Sequence, residues 1–436
     1  MKCGFYEKEI TPPLGGDLPG YYLNRPAKHI KDRLYAKAVV FGNDNDEEKD
    51  MAALVIVDAV EIPAQYCDRI IKRAAAYTGI PEENISVSAT HTHYGIPCGD
   101  VISVADESYM DVFCRLAADC ITMAERSMKT CRIRYGKGHV EGISHIRDYR
   151  MADGDIVTNV DYSKFQDQVL GPNGTPDPEL PIIAVVDEKG VPMGMLASYA
   201  CHLDCVGGAE YTGDYASELS GRLKTVYGND FVSIYLAGAS GDINHIDAIA
   251  GVRSDYIEMG KILAAEVVRV IENAVLAGGA VASRKVELKV KRRHATSEQI
   301  RIAREIMEHP EKASEYTMLG SAMSSLMLTY EEAFADTPEE VTLPVHVIRI
   351  GDAYLFALPG EIYSKFGRRL KEECPGGCAL LSELSNMSAG YIPTEDIFGT
   401  SAYPVQLCHG SFLEPGAGEK LIDCALKVAK ELGEHI

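Results

Sequence analysis

Two histidines with a single residue between them lie in the stretch SATHTHYG, residues 88–95. The stretch continues an apolar, β-branched run, and residues two apart in a strand point to the same face of a sheet. The sequence therefore predicts that His91 and His93 project together from the end of a strand, which Gly95 and Pro97 terminate. Paired imidazoles in such a position are typical of a site for zinc or another transition metal. A pair of hydrogen-bonded core histidines is the alternative interpretation.

Other groups that bind zinc follow apolar runs in the same way. The run GMLASYACHLD ends with His202 and Asp204, AYLFALPGE delivers Glu361, and SNMSAGYIPTED places Tyr391 after a glycine. Since open α/β sheets build their sites in the crevice beyond the strand ends, these side chains are expected to converge. Two histidines and one carboxylate match a catalytic zinc site that keeps one position open for water. For Glu361 the alternative is that it opens a helix, whose dipole favours an acidic residue in the first turn.

The elements that must position these groups alternate between short apolar runs and longer helical patterns. Strands are predicted over residues 34–42, 52–60, the run that ends at the histidines, 131–139, 181–187, 192–201, 231–237, 284–292, 341–350 and 353–358. Helices are predicted near residues 64–78, 107–127, 214–227, 255–276, 361–373 and 418–433. This rhythm predicts an α/β fold in which mixed β-sheets are layered with α-helices and a metal site lies at strand ends.

No linker rich in glycine, serine or proline interrupts the chain and no internal repeat is evident, so residues 1–436 are predicted to form one catalytic domain. The segment 295–340 differs because it is helical and contains the methionine-rich stretch YTMLGSAMSSLMLTY. Flexible methionine side chains suit an adaptable surface, so the segment is predicted to be a lid or a wall of the site. A helical pair that packs its methionines into the core is the alternative.

The composition excludes several classes of protein. A formal net charge of −21 repels phosphate backbones and anionic membrane surfaces, so neither nucleic acid nor a membrane is an expected partner. The chain has no apolar run of the roughly 18 residues that cross a bilayer, and no secretory leader is evident near Met1. Its twelve scattered cysteines predict reduced thiols and a cytoplasmic location.

Competing motifs fit the sequence less well. A site of the metallo-β-lactamase type would continue the histidine pair with Asp-His, and an amidohydrolase barrel would carry the pair on its first strand. Here Tyr94 follows the pair, and several predicted strands precede it. The stretch GASGD, residues 238–242, has aspartate where a nucleophile elbow needs its second glycine. Ser240 is therefore not expected to be a nucleophile.

The sequence resembles the catalytic region of the neutral/alkaline non-lysosomal ceramidase family over nearly its whole length. The resemblance rests on EITPPLGGDLPGYY, DRLYAKAVVF and PEENISVSATHTHYG, and on the order of His, His, Glu and Tyr along the chain. It implies a zinc ion with four ligands: His91, His202, Glu361 and Tyr391. It also implies three catalytic or substrate-binding groups around the substrate: His93, Arg147 in SHIRDY, and Tyr403.

Two departures from the family pattern bear on function. The family segment NxGDxSPN, whose serine is nucleophilic or positions water, reads ASGDINHI here, so Asn244 stands at the serine position. Ceramidases also carry a secretory leader and a C-terminal immunoglobulin-like domain, and the chain resembles a cytoplasmic relative without either. Asn244 is retained as a catalytic candidate, and His245 as a residue that binds the polar part of the substrate.

These inferences predict a zinc-dependent hydrolase that cleaves an amide or related carbonyl bond of a small polar molecule. Zinc lowers the pKa of bound water to about 7, so no serine is required. Arg147, Tyr403 or His93 would stabilise the oxyanion, and His93 would protonate the leaving amine. Asp214 or Asp242 would orient the ligand histidines. The alternatives are a metal-retaining binding protein without catalysis and a true ceramidase acting on N-acyl sphingoid lipids. A homo-oligomer is compatible with all of these functions.

Overall fold

The computed structural model describes residues 1–21, 23–44, 47–99, 104–312 and 320–434. The main sheet in this part of the chain is built on strands numbered here in chain order: β1 (Lys2–Glu9), β2 (Tyr35–Gly42), β3 (Ala52–Val57), β4 (Ile85–Ala89), β5 (Lys129–His139), β6 (Glu179–Asp187), β7 (Pro192–Tyr199) and β8 (Val232–Ala237). Their order across the sheet is β8-β7-β6-β5-β1-β2-β3-β4, and the short strand Val275–Leu276 pairs with β5. The pairs β3/β4 and β7/β8 are parallel, and the others are antiparallel.

A second sheet lies against the first. Its strands occur in the order β9 (Val281–Lys291), β10 (Glu340–Ile350), β11 (Ala353–Ala357) and β12 (Cys378–Ser382), and β11 and β12 are parallel. Short strands form smaller pairs and a triplet: Asp148–Met151 with Ile156–Thr158 and Val169–Pro172, His29–Ile30 with Glu210–Tyr211, Ile243–Asn244 with His145–Ile146, Ile246–Asp247 with Val252–Arg253, and Glu361–Ile362 with Tyr391–Ile392.

Helices connect these strands: α1 (Ala64–Thr78), α2 (Glu107–Arg126), α3 (Asp214–Tyr227), α4 (Tyr256–Asn273), α5 (Ser297–Glu308), α6 (Gly320–Phe334), α7 (Ser364–Glu373) and α8 (Ala417–Glu434), together with a single turn at Tyr162–Phe165. Their ends follow local chemistry. The Asp106 carboxylate accepts the N–H groups of Ser108 and Tyr109 at 3.1 and 3.2 Å and so starts α2. Gly79, with φ of +77°, ends α1 because glycine adopts the left-handed conformation without a steric penalty.

The alternation of side chains along each strand explains the packing of the layers. In β2 and β3, Phe41 and Leu54 contribute to the core between the two sheets, while Ala38 and Val55 pack with α1 and α2. Residues of α3 and α4 pack with β6 and β7, and residues of α7 and α8 pack with the second sheet. The predicted mixed α/β fold, with sheets layered with helices, is therefore confirmed.

One detail differs from the sequence-based expectation. The helix predicted near residues 361–373 begins only at Ser364, because Glu361 and Ile362 form a short parallel strand with Tyr391 and Ile392. The prediction that Glu361 opens a helix is therefore wrong.

The described part of the segment 295–340 contains α5 and α6, and its role as a lid or wall of the site stays a prediction. Residues 313–319, which include part of the methionine-rich stretch, lie outside the described residues. The single catalytic domain over residues 1–436 stays a prediction. No described helix is both long and apolar enough to cross a membrane.

Candidate metal centre

The histidine pair lies in a turn, not within a strand. The strand β4 ends at Ala89, and His91 has a φ of +68°, in the left-handed region that residues other than glycine rarely adopt. The prediction that strand alternation aligns the two rings is therefore wrong. The turn nevertheless brings the ring centroids of His91 and His93 to within 5.0 Å of each other. Rare backbone conformations of this kind cluster at functional sites, where the surrounding structure holds them in place.

A short backbone bridge brings His202 to this turn. Thr92 pairs with Leu203, and the N–H of His93 donates to the Leu203 carbonyl at 3.0 Å. The ring centroids of His91 and His202 consequently lie 4.5 Å apart. One ring nitrogen from each of the three buried histidines lies within 4.8 Å of the other two. The turn and the end of β7 therefore form one imidazole cluster.

Main-chain carbonyls orient two of these imidazoles. The Nδ1 atom of His91 lies 2.8 Å from the Val60 carbonyl oxygen. The Nδ1 atom of His202 lies 3.0 Å from the carbonyl oxygens of both Ser240 and Ile243. Since a carbonyl oxygen only accepts hydrogen bonds, each Nδ1 carries a proton, and in the neutral ring the lone pair is therefore on Nε2. This is the tautomer that a metal ion bound at Nε2 requires.

The expected carboxylates do not orient these histidines. Asp242 accepts the N–H and the hydroxyl of Ser364 at 2.6 and 2.8 Å, so it satisfies the first turn of α7. Asp214 accepts the N–H groups of Cys205 and Tyr215 at 2.7 and 2.6 Å. The prediction that Asp214 or Asp242 contacts a ligand histidine is therefore wrong, because backbone carbonyls already occupy that position.

Glu361 brings a carboxylate to the same point. Its Oε2 atom lies 3.4 Å from His91 Nε2 and 3.2 Å from His202 Nε2. These three atoms are buried, and apart from their contacts with one another they have no hydrogen-bond partner among the described residues, which is costly for polar atoms. Ligand atoms that hold zinc tetrahedrally at roughly 2.0–2.1 Å lie about 3.3 Å from one another. The spacing of the three atoms is therefore compatible with a divalent metal ion at this point.

Burial and charge set the protonation of this group. Burial opposes ionisation of Glu361, but the positive charge available on His91 and His202 holds the Glu361 pKa well below its usual range. Burial and nearby Arg147 lower the pKa of His202 to about 3. Burial also lowers the pKa of His93, whereas Glu361 raises the pKa of His91 despite its burial. Near neutral pH the cluster therefore contains the Glu361 carboxylate with neutral His93 and His202, whereas Glu361 favours the charged form of His91, and a metal bound at His91 would displace that proton.

Tyr391 lies beside Glu361 because their short strands pair in register. The guanidinium carbon of Arg147 is 5.3 Å from the centroid of the Tyr391 ring, and Arg147 Nη2 donates to the Gly241 carbonyl at 2.7 Å. Tyr403 packs edge-on against Tyr391, with ring centroids 5.3 Å apart. Burial raises the pKa of Tyr391 above its usual value. Tyr391 is therefore a neighbour of Glu361 through strand pairing, and its ring contacts the two predicted substrate groups, Arg147 and Tyr403.

Asn244 and His245 lie in the next segment. The Asn244 amide donates to Asn159 Oδ1 at 3.2 Å and accepts the N–H of Ile246 at 2.9 Å. His245 is 1% exposed, and neither of its ring nitrogens has a hydrogen-bond partner. This segment touches the imidazole cluster through the Ile243 carbonyl, which contacts His202.

A cavity of about 610 Å³ adjoins the cluster. Five predicted site residues line it: His91, His93, Glu361, Tyr391 and Tyr403. Its wall also includes polar residues: Glu61, Gln65, Glu107, Thr329, Ser388 and His409. Thr329 belongs to α6, so the segment 295–340 contributes to the wall. Arg147, Asn244 and His245 are not among the described lining residues. The volume is within the range of roughly 300–1,000 Å³ that is typical of pockets for small ligands.

Sequence reasoning missed several groups that support the cluster. The Ser240 hydroxyl donates to the carboxyl group of Glu383, which agrees with the expectation that Ser240 is not a nucleophile. Arg25 Nη2 donates to the His93 carbonyl at 2.7 Å, and its guanidinium lies 4.1 Å from the centroid of the Tyr21 ring. Tyr21 lies in EITPPLGGDLPGYY, a stretch that already carried the family resemblance. No sequence pattern points to Glu383, because this residue simply follows an apolar strand.

Solved structures share this architecture. The crystal structure of neutral ceramidase from Pseudomonas aeruginosa has a TM-score of 0.74 and 17% sequence identity, and the match covers 100% of this chain and 75% of that chain. A structure described as ceramidase complexed with C2 has a TM-score of 0.74 and 15% identity over the same shares of the two chains. No protein-family model and no curated protein sequence matches the chain. At these identities the likeness concerns the fold, and the chain has the fold of the neutral ceramidases.

Proposed function

We propose that the chain is a zinc-dependent hydrolase that cleaves an amide or related carbonyl bond of a small polar substrate. The proposal rests on one observation: three buried atoms from His91, His202 and Glu361 converge at the spacing of zinc ligands. In a purely structural role these atoms would have only the ion-pair contacts of Glu361 with the two imidazoles, at 3.4 and 3.2 Å. The fold gives independent support, because both similar structures are ceramidases, and ceramidases hydrolyse an amide bond.

The ligand set that we propose is His91, His202, Glu361 and Tyr391. Zinc bound by such groups supplies Lewis acidity and lowers the pKa of a bound water molecule to about 7. The Val60, Ser240 and Ile243 carbonyls keep each ligand imidazole in the required tautomer. His93 belongs to the same imidazole cluster, so a three-histidine ligand set is the competing arrangement.

The remaining residues act on the substrate. Arg147 keeps its positive charge, since its pKa is raised above its already high ordinary value despite burial, with Tyr391 and Glu361 favouring the charged form. We assign to Arg147 and Tyr403 the stabilisation of the oxygen that becomes negative when the carbonyl is attacked. His93 faces the cavity, and neither of its ring nitrogens has a hydrogen-bond partner among the described residues. We assign to it the uptake of the proton that the attacking water releases and the delivery of this proton to the leaving nitrogen.

The polar lining of the cavity supports a small polar substrate. Glu61 and Glu107 place carboxylates in the wall, and desolvating them under long acyl chains would be costly. We assign Asn244 and His245 to the polar part of the substrate. To take this role, Asn244 must exchange its hydrogen bond with Asn159 for one with the substrate.

Two other functions are compatible with the same centre. A true ceramidase is favoured by the names of the similar structures, whereas a non-catalytic binding protein is favoured by Asn244 at the position of the family serine. We further propose a cytoplasmic enzyme that has no nucleic-acid or membrane partner and is compatible with a homo-oligomer. The scattered arrangement of the twelve cysteines along the sequence supports a reducing compartment.

Metal content and turnover together test the proposal. Purified protein dialysed against zinc should contain one zinc ion per chain by elemental analysis, and it should hydrolyse at least one member of a panel of small polar amides, esters and lactones. Absence of stoichiometric zinc refutes the proposed centre. Zinc-loaded protein that cleaves only N-acyl sphingoid lipids identifies a ceramidase, and tight binding of a panel member without turnover identifies a binding protein.

A further inference from the structure

A second buried carboxyl group lies behind the metal centre. Glu383 directly follows β12 and has no exposed surface, and it does not line the cavity. Its backbone N–H donates to the Ala237 carbonyl at 2.9 Å, at the end of β8. A buried carboxyl group is costly unless donors satisfy it, so its partners indicate its purpose.

Three donors converge on Glu383. The Ser240 hydroxyl donates to Oε1, and the Ser240 N–H donates to Oε2 at 3.2 Å. The Ile362 N–H donates to Oε2 at 2.9 Å. Breaking hydrogen bonds to a buried carboxyl group is costly because its oxygens would be left without partners, so Glu383 holds two separate segments of the chain against each other.

Each of these segments carries a proposed zinc ligand. The Ser240 carbonyl contacts His202 Nδ1 at 3.0 Å, and Ile362 directly follows Glu361. The segments also contact each other, since the Gly241 N–H donates to the Ile362 carbonyl at 2.8 Å. A Cβ atom at Gly241 would lie only 2.6 Å from the Glu361 carbonyl oxygen, so this approach requires glycine.

We propose that Glu383 is a positioning residue that sets the distance between the His202 and Glu361 ligand atoms. This inference rests on the proposed function, because it presupposes zinc at the centre. The described hydrogen bonds of the Glu383 carboxyl group go to Ser240 and Ile362 and to no proposed ligand side chain, so we assign its effect to the Ser240 carbonyl and the Ile362 backbone. Its role would explain why the GASGD stretch keeps a serine that is not a nucleophile: the Ser240 hydroxyl is one of the three anchors of Glu383.

The test compares zinc affinity by competition with a chromophoric chelator and thermal stability without metal. Replacing a group that supports a metal ligand typically costs about 10- to 100-fold in affinity, and Glu383→Ala should weaken zinc binding by this factor. Glu383→Gln keeps an oxygen for the two N–H groups, and the Ser240 hydroxyl can rotate to accept from its amide. This variant should bind zinc nearly as tightly as the unsubstituted chain.

Asp177→Ala supplies the matched control. Asp177 is a buried carboxylate that accepts from Lys371 Nζ at 2.8 Å and from the Glu179 N–H at 3.1 Å, so its loss removes comparable bonds away from both ligand segments. It should lower thermal stability without changing zinc affinity. If Glu383→Ala does not fold, Ser240→Ala removes a single anchor and should produce a smaller loss of affinity in the same direction.

The outcomes separate this inference from the proposed function. If the unsubstituted chain binds no zinc, the proposed function fails. Suppose that the unsubstituted chain binds zinc. If the folded Glu383→Ala variant, or Ser240→Ala in its place, then binds zinc equally tightly, only the positioning role is overturned. It is also overturned if Asp177→Ala loses as much affinity as Glu383→Ala, or if Glu383→Gln is no better than Glu383→Ala.

Discussion

Replacing Glu361 by glutamine should test its role as a metal ligand. The amide has the size of the carboxylate, so the 3.4 and 3.2 Å separations from His91 and His202 can persist while the negative charge is lost. A side chain that binds zinc directly should contribute at least as much to zinc affinity as the groups that orient the ligands. We therefore expect Glu361→Gln to lose about 100-fold in zinc affinity. With zinc at 100 times the dissociation constant of the unsubstituted chain, bound metal adds about 2.7 kcal/mol to the free energy of unfolding. In Glu361→Gln this gain should fall to about 0.4 kcal/mol.

The metal-free protein should also lose stability. Without metal, Glu361 lies 3.4 and 3.2 Å from His91 and His202, and its pKa is held well below its usual range, so the fold stabilises its charged form. Urea denaturation in the presence of chelator should therefore give Glu361→Gln a lower free energy of unfolding than the unsubstituted chain, in addition to the lost zinc increment. Asp177→Asn is the control, because it weakens the bond to Lys371 and should lower stability while keeping the full zinc increment. A full zinc increment in Glu361→Gln would refute the proposed ligand set.

His93→Ala should abolish turnover but retain one zinc ion per chain by elemental analysis, whereas loss of the zinc would make His93 a ligand. Arg147→Gln should lower kcat by roughly 100- to 1,000-fold, the effect of removing one oxyanion donor, without reducing zinc content. His245→Ala should raise KM more than it lowers kcat, and an unchanged KM would exclude substrate binding by this residue. His346 is fully buried between two serine hydroxyls, and burial holds its pKa well below its ordinary value. Below about pH 6.5 the His346 ring takes up a proton in the unfolded chain but not in the folded chain, so the free energy of unfolding should fall as pH decreases. His346→Asn should reduce the slope of this pH dependence by up to about 1.4 kcal/mol per pH unit between pH 6 and 5.

The sequence predicted the layered α/β fold because its apolar runs are strong and regular. In β2 and β3, almost every residue is buried, so the runs stand out from their surroundings. It also predicted that His91, His202 and Glu361 would converge, since strand ends of mixed sheets meet at common edges. These three side chains do lie together.

The local geometry of the site was beyond sequence reasoning. The left-handed conformation of His91 follows from the bridge between Thr92 and Leu203, a contact between residues that are far apart in the chain. The late start of α7 has a similar cause, since Glu361 pairs with Tyr391 as a strand. The support from Glu383 likewise depends on partners far away in the chain. Periodicity describes neighbours along the chain, so it carries no information about such pairings.

The imidazole orientations have a consequence for divergence within this fold. His91 and His202 are oriented by peptide oxygens of Val60, Ser240 and Ile243, and every amino acid supplies such an oxygen. Mutations at those three positions can therefore accumulate without releasing either ring, provided that the backbone path is preserved. Selection would then act on chain geometry more than on side-chain identity, which allows a shared architecture to persist at 15–17% identity.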